Sequence, residues 1–153
     1  MSLGAESDLE RLFEAEAKRI WRGLVAYTGD REVASDAMAE AFAQALARGD
    51  ELRSPQRWVW RSAFRIAAGE LKRRGRDQPM IESGYEMPDP PLDLIGALAK
   101  LSPKQRAALI LRHYAGYSTG EIAQMLGSTA ATVRVHLSQG RRRLRRLMEG
   151  NRG

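Results

Sequence analysis

The sequence from Tyr117 to Met148, YSTGEIAQMLGSTAATVRVHLSQGRRRLRRLM, decides the fold of the C-terminal half of the chain. Ser118 is followed three residues later by Glu121, which is the spacing of a capping box at the start of a helix. Gly127 stands where the backbone must turn, and either hydroxyl of the next two residues can cap a second helix. The stretch therefore predicts a helix-turn-helix, whose second helix enters the major groove of DNA.

A plain pair of packed helices with a solvated basic face is the alternative interpretation of this stretch. The second helix would bury Val133, Leu137 and Leu144 in either case, and its arginines would point outward. Two successive helix caps and the density of arginine after the turn favour DNA binding over a plain hairpin.

Length and composition limit the remaining possibilities. The chain has 153 residues, which is enough for one ordinary domain or two small ones. It is rich in alanine, leucine and arginine, so we expect an all-α fold. It lacks an apolar run of roughly 18 residues, so we expect no membrane insertion. The absence of cysteine excludes disulfides and thiolate metal sites, and it fits a cytoplasmic protein.

The net charge of +6 is segregated along the chain. Residues 1–52 sum to −5, residues 53–76 to +7, residues 77–103 to −4 and residues 104–153 to +8. Two separated basic blocks predict two contacts with a polyanion. The acidic N-terminal block is expected to face a partner other than DNA.

Apolar periodicity and capping residues divide the chain into two small helical domains. We predict three helices over residues 8–75, at about residues 8–27, 31–47 and 56–74. Residues 76–93, rich in proline and acid, read as a flexible linker that can extend to about 55 Å. Residues 94–148 are expected to form four helices, of which the last two are the helix-turn-helix.

The third predicted helix interleaves aromatic and basic side chains. The aromatic residues Trp58, Trp60 and Phe64 alternate with Arg61 and Arg65. We expect Phe64 and at least one tryptophan to belong to the core. Aromatics alternating with arginine are also typical of a surface that stacks unpaired bases and holds phosphates. Which tryptophan faces DNA stays open at this point.

An enzymatic function finds no support in the sequence. The two histidines, His113 and His136, have no carboxylate partner at metal-ligand spacing. No P-loop or dinucleotide-binding fingerprint occurs. We therefore expect no catalytic residues, no metal and no cofactor. His113 is expected at the edge of the core, and His136 is a candidate phosphate contact.

Both basic blocks resemble conserved parts of bacterial sigma factors. LSPKQRAALILRHYAGYSTGEIAQMLGSTAATVRVHLSQGRRRL (residues 101–144) is similar to sigma region 4. GDREVASDAMAEAFAQAL (29–46) followed by SPQRWVWRSAFRIAAGELKRRGR (54–76) resembles sigma region 2. Over about residues 8–148 the chain resembles the extracytoplasmic-function (ECF) group of the sigma-70 family, which keeps only these two regions.

The resemblance implies a transcription initiation factor that acts in the cytoplasm. Such a factor binds core RNA polymerase, through the β′ clamp helices and the β flap, and directs it to promoter DNA. An anti-sigma factor is the further partner that the resemblance implies, and it could wedge between the two domains.

The resemblance also assigns roles to individual residues. The contacts with core polymerase would be made by Asp36, Glu40, Phe42 and Gln44. The −10 element would be read and melted next to a base pocket that the loop 49–53 lines. The residues assigned to this task are Trp58, Arg61, Arg65, Lys72, Arg73 and Arg74. The bases of the −35 element would be contacted by Thr132, Arg134, Val135, Ser138 and Gln139. The phosphates of that element would be held by Arg112, Ser118, Thr119, Arg141, Arg142 and Arg143.

Several positions depart from the usual pattern of the family. Val135 replaces a small polar residue and favours contact with a thymine methyl group. Gly140 replaces an alanine, at a cost of roughly 1 kcal/mol in helix propensity. His136 and Gln139 stand where arginine is more usual, and residues 37–39 replace a leucine- and glutamine-bearing run.

Two alternatives to an initiation factor remain. A sigma-like decoy would bind an anti-sigma factor without starting transcription. Such decoys usually lack basic DNA surfaces and carry a receiver domain, whereas this chain keeps its arginines. A plain helix-turn-helix repressor would leave residues 30–74 without a role.

Overall fold

The computed structural model describes residues 3–75 and 92–150, and all regular structure in these ranges is helical, so the predicted all-α class is confirmed. An N-terminal lobe contains α1 (Leu3–Thr28), α2 (Arg31–Arg48) and α3 (Pro55–Arg73). A C-terminal lobe contains α4 (Leu92–Ala99), α5 (Pro103–Leu109), α6 (Thr119–Leu126) and α7 (Ala130–Gly150). Most of the predicted linker lies outside the described residues, and its last two positions already belong to α4.

Helix α2 begins where the sequence predicts it, because Asp30 caps it. The Asp30 carboxylate accepts hydrogen bonds from the backbone amides of Glu32 and Val33, at 2.9 and 3.1 Å. Gly29 supplies the turn before this cap with a φ of 69°. Helix α3 begins at Pro55, one residue before the predicted start, and Ser54 makes no capping hydrogen bond there.

The N-terminal lobe packs its three helices around an alanine-lined face of α2. Ala34, Ala37, Ala41 and Ala45 are buried, and their small side chains let α1 and α3 approach α2 closely. Trp60, which is 0% exposed, fills the side of this core that faces the C-terminal lobe. Trp60 and Phe64 are therefore core residues, whereas Trp58 is only partly buried.

Two capping boxes set the helix boundaries of the C-terminal lobe. Ser102 accepts from the amide of Gln105 at the start of α5, and Ser118 accepts from the amide of Glu121 at the start of α6. Gly127 ends α6 with a φ of 64°. Of the two hydroxyls predicted to cap α7, the one on Thr129 accepts from a backbone amide of the first turn, at 3.1 Å.

Helix α5 continues past Leu109 into a wider helical turn. Residues 110–114 form a π-helical turn, and the amide of Ala115 donates to the carbonyl of Ile110 at 3.0 Å. Gly116 then reverses the chain with a φ of 84°. The wide turn carries Tyr114 toward the N-terminal lobe, where its ring lies 6.4 Å from that of Trp60. The two lobes therefore touch each other directly.

Candidate nucleic-acid interfaces

Helix α7 presents a solvent-exposed face of the kind that reads DNA. Val133 and Leu137 are buried against the lobe, at 1% and 2% exposure, which fixes the rotation of the helix. Val135 is 51% exposed, so its side chain is open to contact with a partner. The residues that the resemblance assigns to base contacts are all exposed on this helix: Thr132, Arg134, Val135, Ser138 and Gln139.

Two of the base-contact residues already have hydrogen-bond partners. The Thr132 hydroxyl lies 2.9 Å from the capping hydroxyl of Thr129. The Gln139 side chain accepts from Nε2 of Gln105, at 3.4 Å. These bonds hold both side chains at the surface of the lobe, while Arg134 and Ser138 project from the same helix.

Gly140 lets α7 approach α5 closely. A Cβ atom at this position would lie 3.1 Å from Cδ1 of Leu109 and 3.4 Å from Cβ of Gln105. The Cβ of an alanine at this position would require the Leu109 side chain to shift by a few tenths of an ångström.

The residues assigned to phosphate contacts surround the two ends of the helix-turn-helix. Arg141, Arg142 and Arg143 are exposed on α7, and Arg112 is exposed at the π-helical turn. The backbone amide of Ser118 is not available to a phosphate in this conformation. It donates to the carboxylate of the capping-box glutamate at 2.9 Å.

The capping glutamate and the nearby histidine both have shifted pKa values. Hydrogen bonds from Ser118 hold the pKa of Glu121 below its ordinary value. Burial, followed by the charges of Arg141 and Arg112, lowers the pKa of His113. His113 lies 3.4 Å from Arg141 and is exposed at the edge of the lobe, as the sequence led us to expect. Around neutral pH it adds no further positive charge beside the arginines.

A basic cavity of about 330 Å³ opens at the N-terminal end of α3. Trp58 lies in its wall, and the Arg48 guanidinium sits 5.3 Å from the centre of the Trp58 ring. The Nε atoms of Arg57 and Arg61 are buried here without a hydrogen-bond partner. We call this the arginine–tryptophan cavity; its lining comprises Arg48, Glu51, Leu52, Arg53, Ser54, Arg57, Trp58, Arg61, Gln124 and Met125.

The loop after α2 was predicted to line a pocket, and residues 51–53 do line this cavity. The sequence interpretation assigned Trp58 and Arg61 to the site but missed Arg48 and Arg57. Arg57 could have been found, because it stands one helical turn before Arg61. Arg48 could not, since only the fold brings the end of α2 to the start of α3.

The other basic residues assigned to −10 recognition lie away from the cavity. Arg65 borders a separate cavity of about 370 Å³ between the lobes, together with His136. Lys72 is exposed near the end of α3. Arg73 and Arg74 both pair with Glu70. These ion pairs leave fewer free cations at this end of α3 than the sequence suggests.

Asp36, Glu40 and Gln44 form an exposed row on α2, spaced one helical turn apart. The Gln44 amide donates to the Glu40 carboxylate at 3.0 Å. The resemblance also assigns Phe42 to the contact with core polymerase. Its ring packs edge-on against that of Phe13, with 5.0 Å between the ring centres, on another side of the helix. The structure thus separates the acidic row from the apolar contact of Phe42 with Phe13.

The described residues offer neither a metal site nor a membrane span. No group of three or more acidic or histidine side chains in residues 3–75 and 92–150 could hold a metal ion. Among the helices of the same ranges, none is long and apolar enough to cross a bilayer.

Several known proteins are similar to this chain in sequence or in fold. Residues 92–144 match the family described as Sigma-70, region 4. The ECF RNA polymerase sigma factor SigL of Mycobacterium tuberculosis is 30% identical over 158 residues, which cover 92% of this chain and 89% of that protein. The ECF RNA polymerase sigma factor SigE of Mycolicibacterium smegmatis is 28% identical over 154 residues, covering 89% of this chain and 60% of that protein.

Two solved structures have the same fold at low sequence identity. The sigma factor RpoE, co-crystallised with the anti-sigma factor NepR from Bartonella quintana, gives a TM-score of 0.78 at 20% identity over 93% of this chain and 97% of its own. CnrH, in complex with the cytosolic domain of CnrY, gives a TM-score of 0.70 at 16% identity over 96% of this chain and 91% of its own. With a relative at 30% identity across nearly the whole length, this chain belongs to the ECF sigma factors of the sigma-70 family, a family of transcription initiation factors.

Proposed function

We propose that this sigma factor binds core RNA polymerase and directs it to promoters through separate −10 and −35 contacts. The observation that carries the proposal is that the chain has two distinct candidate sites, the arginine–tryptophan cavity, lined mainly by the N-terminal lobe, and the exposed face of α7. A plain helix-turn-helix repressor has no use for a second basic site. A factor that must both locate and open a promoter needs one site for each task.

The C-terminal lobe would recognise the −35 element in the major groove. Arg134 is the side chain best suited to a guanine, because its guanidinium can donate two hydrogen bonds to the base edge. The exposed Val135 is suited to a thymine methyl group. Phosphate contacts would come from Thr119 at the start of α6 and from the exposed arginines of α7.

The N-terminal lobe would hold an unpaired base of the −10 element. The cavity of about 330 Å³ lies in the size range of small-ligand sites. Trp58 offers a ring for stacking, and the arginines of the lining, Arg53, Arg57 and Arg61 among them, supply positive charge for a phosphate. A base that leaves the duplex would gain both kinds of contact.

The exposed acidic row on α2 would bind the polymerase. Asp36 and Glu40 are exposed on α2 and are not part of the lining of the arginine–tryptophan cavity, so a basic helix of the polymerase could dock beside them. The β′ clamp helices are the partner that the family resemblance assigns to this face. Phe42 and Phe13 would add apolar contact at the edge of the same interface.

An anti-sigma factor is the regulatory partner that we propose. Of the two solved structures above, RpoE was co-crystallised with the anti-sigma factor NepR, and CnrH is in complex with the cytosolic domain of CnrY. In this chain an apolar groove of about 440 Å³ runs between the lobes, and its lining includes two cationic residues, Arg22 and Arg141. Its apolar lining and these two cations suit an acidic amphipathic helix.

Purified components test the initiation function. Core RNA polymerase from the organism that encodes this protein would be mixed with the factor on fragmented genomic DNA, and the run-off transcripts sequenced. We expect transcripts that start at a limited set of sites sharing −10 and −35 sequences. If the protein binds core polymerase but gives no promoter-specific transcripts, the decoy interpretation replaces ours.

A further inference from the structure

Two hydrogen bonds in series connect the cap of α5 to the exposed face of α7. The backbone amide of Ser102 donates to Oε1 of Gln105 at 3.3 Å, as one of the two bonds of the capping box. Nε2 of the same glutamine donates to Oε1 of Gln139 at 3.4 Å. We call these three residues the glutamine relay. It joins the start of α5 to a side chain that is assigned to base contacts.

The direction of both hydrogen bonds is fixed by the first member of the relay. A backbone amide can only donate, so Gln105 must turn its side-chain oxygen toward Ser102. The NH2 group of Gln105 then faces Gln139, which must answer with its own oxygen. Turning either side-chain amide over would place two donors or two acceptors against each other.

Packing between α5 and α7 keeps the two glutamines adjacent. Gly140, the residue after Gln139, is buried, and a Cβ atom there would lie 3.4 Å from Cβ of Gln105. The backbone of α7 therefore runs close to α5 at this point. Gln105 is half-buried, whereas Gln139 is exposed. The relay thus starts inside the lobe and ends at a side chain that a partner can reach.

The relay leaves Gln139 with hydrogen-bond donors alone for a DNA base. Within residues 3–75 and 92–150 its side chain makes no other hydrogen bond, so both N–H groups of Nε2 are available. A glutamine with both groups available pairs with adenine, because its oxygen accepts from N6 while its NH2 donates to N7. Guanine presents two acceptors, N7 and O6, in the major groove. A glutamine whose oxygen is engaged therefore matches guanine better than adenine.

We propose that Gln105 is a positioning residue for promoter recognition, which holds the amide of Gln139 so that Gln139 favours guanine over adenine in the −35 element. This inference rests on the proposed function, since α7 must lie in the major groove of that element. Gln105 acts through Gln139. Both hydrogen bonds are long, so they set the orientation of an amide and add little to stability.

Gln105→Glu should reverse the relay without removing the helix cap. A glutamate also serves at this position of a capping box, where it accepts from the amide of Ser102. The second oxygen of the new carboxylate can only accept, so Gln139 must turn its NH2 group toward it. The oxygen of Gln139 and its remaining N–H then face the groove, and this is the pair that adenine requires.

The base preference would be measured with the whole initiation complex. Core polymerase carrying each variant would select from a promoter library with a randomised −35 element, and the bound and input DNA would be sequenced. Gln139→Ala locates the base pair that Gln139 contacts, because the preference there is lost. At that position we expect Gln105→Glu to raise the ratio of A·T to G·C pairs about three- to tenfold, the effect of one hydrogen bond.

Two further variants control for charge and for the substituted residue. Lys104→Gln, at an exposed neighbour, changes the net charge by the same amount as Gln105→Glu. It should weaken binding to all sequences alike and leave the ratio unchanged. Gln105→Ala frees the Gln139 amide to turn either way, so the preference for guanine should decline without a change to a strong preference for adenine.

The outcomes distinguish this inference from −35 recognition itself. An unchanged ratio in Gln105→Glu would overturn the positioning role, as would a shift of the ratio that persists when Gln139→Ala is added. A Gln139→Ala variant with no altered position would show that Gln139 does not read a base, and would overturn the inference while other −35 preferences remain. If the unmodified complex prefers no base anywhere in the element, the proposed −35 recognition fails and the inference fails with it.

Discussion

At the scale of single residues, Trp58 and Trp60 show how two identical side chains on one helix acquire different roles. Residues i and i+2 of an α-helix are rotated by about 200° from each other about the helix axis, so the rings of Trp58 and Trp60 point in nearly opposite directions. Trp60 points into the core and toward the rings of Tyr114 and Tyr117. Trp58 faces the arginine–tryptophan cavity. The sequence could not assign the two, because the answer depends on where the C-terminal lobe packs.

Replacing each tryptophan by alanine should show which of the two is needed for stability and which for promoter opening. Trp60→Ala removes a side chain that is 0% exposed, and we expect a loss of about 3–5 kcal/mol in the free energy of unfolding. Trp58→Ala should leave the thermal unfolding curve nearly unchanged but slow promoter opening, followed by the fluorescence of 2-aminopurine in the −10 element. Comparable destabilisation by both changes would make Trp58 a core residue as well.

Arg134→Ala tests the reading face of α7. We expect recognition of the −35 element to weaken by about 1–3 kcal/mol, while binding to core polymerase is unchanged. The measurement is fluorescence anisotropy with promoter duplexes that carry or lack the −35 sequence. Lys18→Ala, at an exposed lysine of α1, controls for the loss of one positive charge. Equal losses on both duplexes would show that Arg134 holds phosphate and does not read bases.

At the scale of helices, local signals predicted most boundaries correctly. The starts of α2, α5 and α6 were predictable from Asp30, Ser102 and Ser118, because a cap acts within three residues of itself. The π-helical turn at residues 110–114 was not predictable. No residue in it signals the extra width, and the turn serves the contact of Tyr114 with the other lobe.

Replacing either of two helical glycines by alanine should change the free energy of unfolding, in opposite directions at the two positions. Gly69 of α3 has open space where a Cβ would stand, so Gly69→Ala should stabilise the protein by about 0.5–1 kcal/mol through helix propensity. A Cβ at Gly23 of α1 would lie 3.0 Å from the rigid ring of Trp60. Gly23→Ala should therefore cost about 1–3 kcal/mol. Chemical denaturation measures both, and a stabilising Gly23→Ala would mean that α1 and α3 pack less tightly than described.

At the scale of the whole molecule, the charge pattern predicted two basic surfaces but not how the lobes meet. Charge blocks are visible in the sequence because they depend only on residue order. Burial of Arg106 depends on a contact between residues 27 and 106, far apart in the chain, and an arginine after a helix cap normally faces solvent. The direct packing of the lobes, and the closed cavity that results from it, therefore had to come from the structure.

We propose that the two lobes act at two separate places on one promoter. A photoreactive phenylalanine analogue at position 135 or at position 58 tests this claim directly. Each variant would be assembled with core polymerase on a promoter identified by run-off sequencing, and the crosslinked bases would be mapped. We expect position 135 to crosslink double-stranded DNA near −35 and position 58 to crosslink the opened strand near −10, about 25 base pairs away. Crosslinks from both positions within one helical turn of each other, or no DNA crosslink from position 58, would contradict the account.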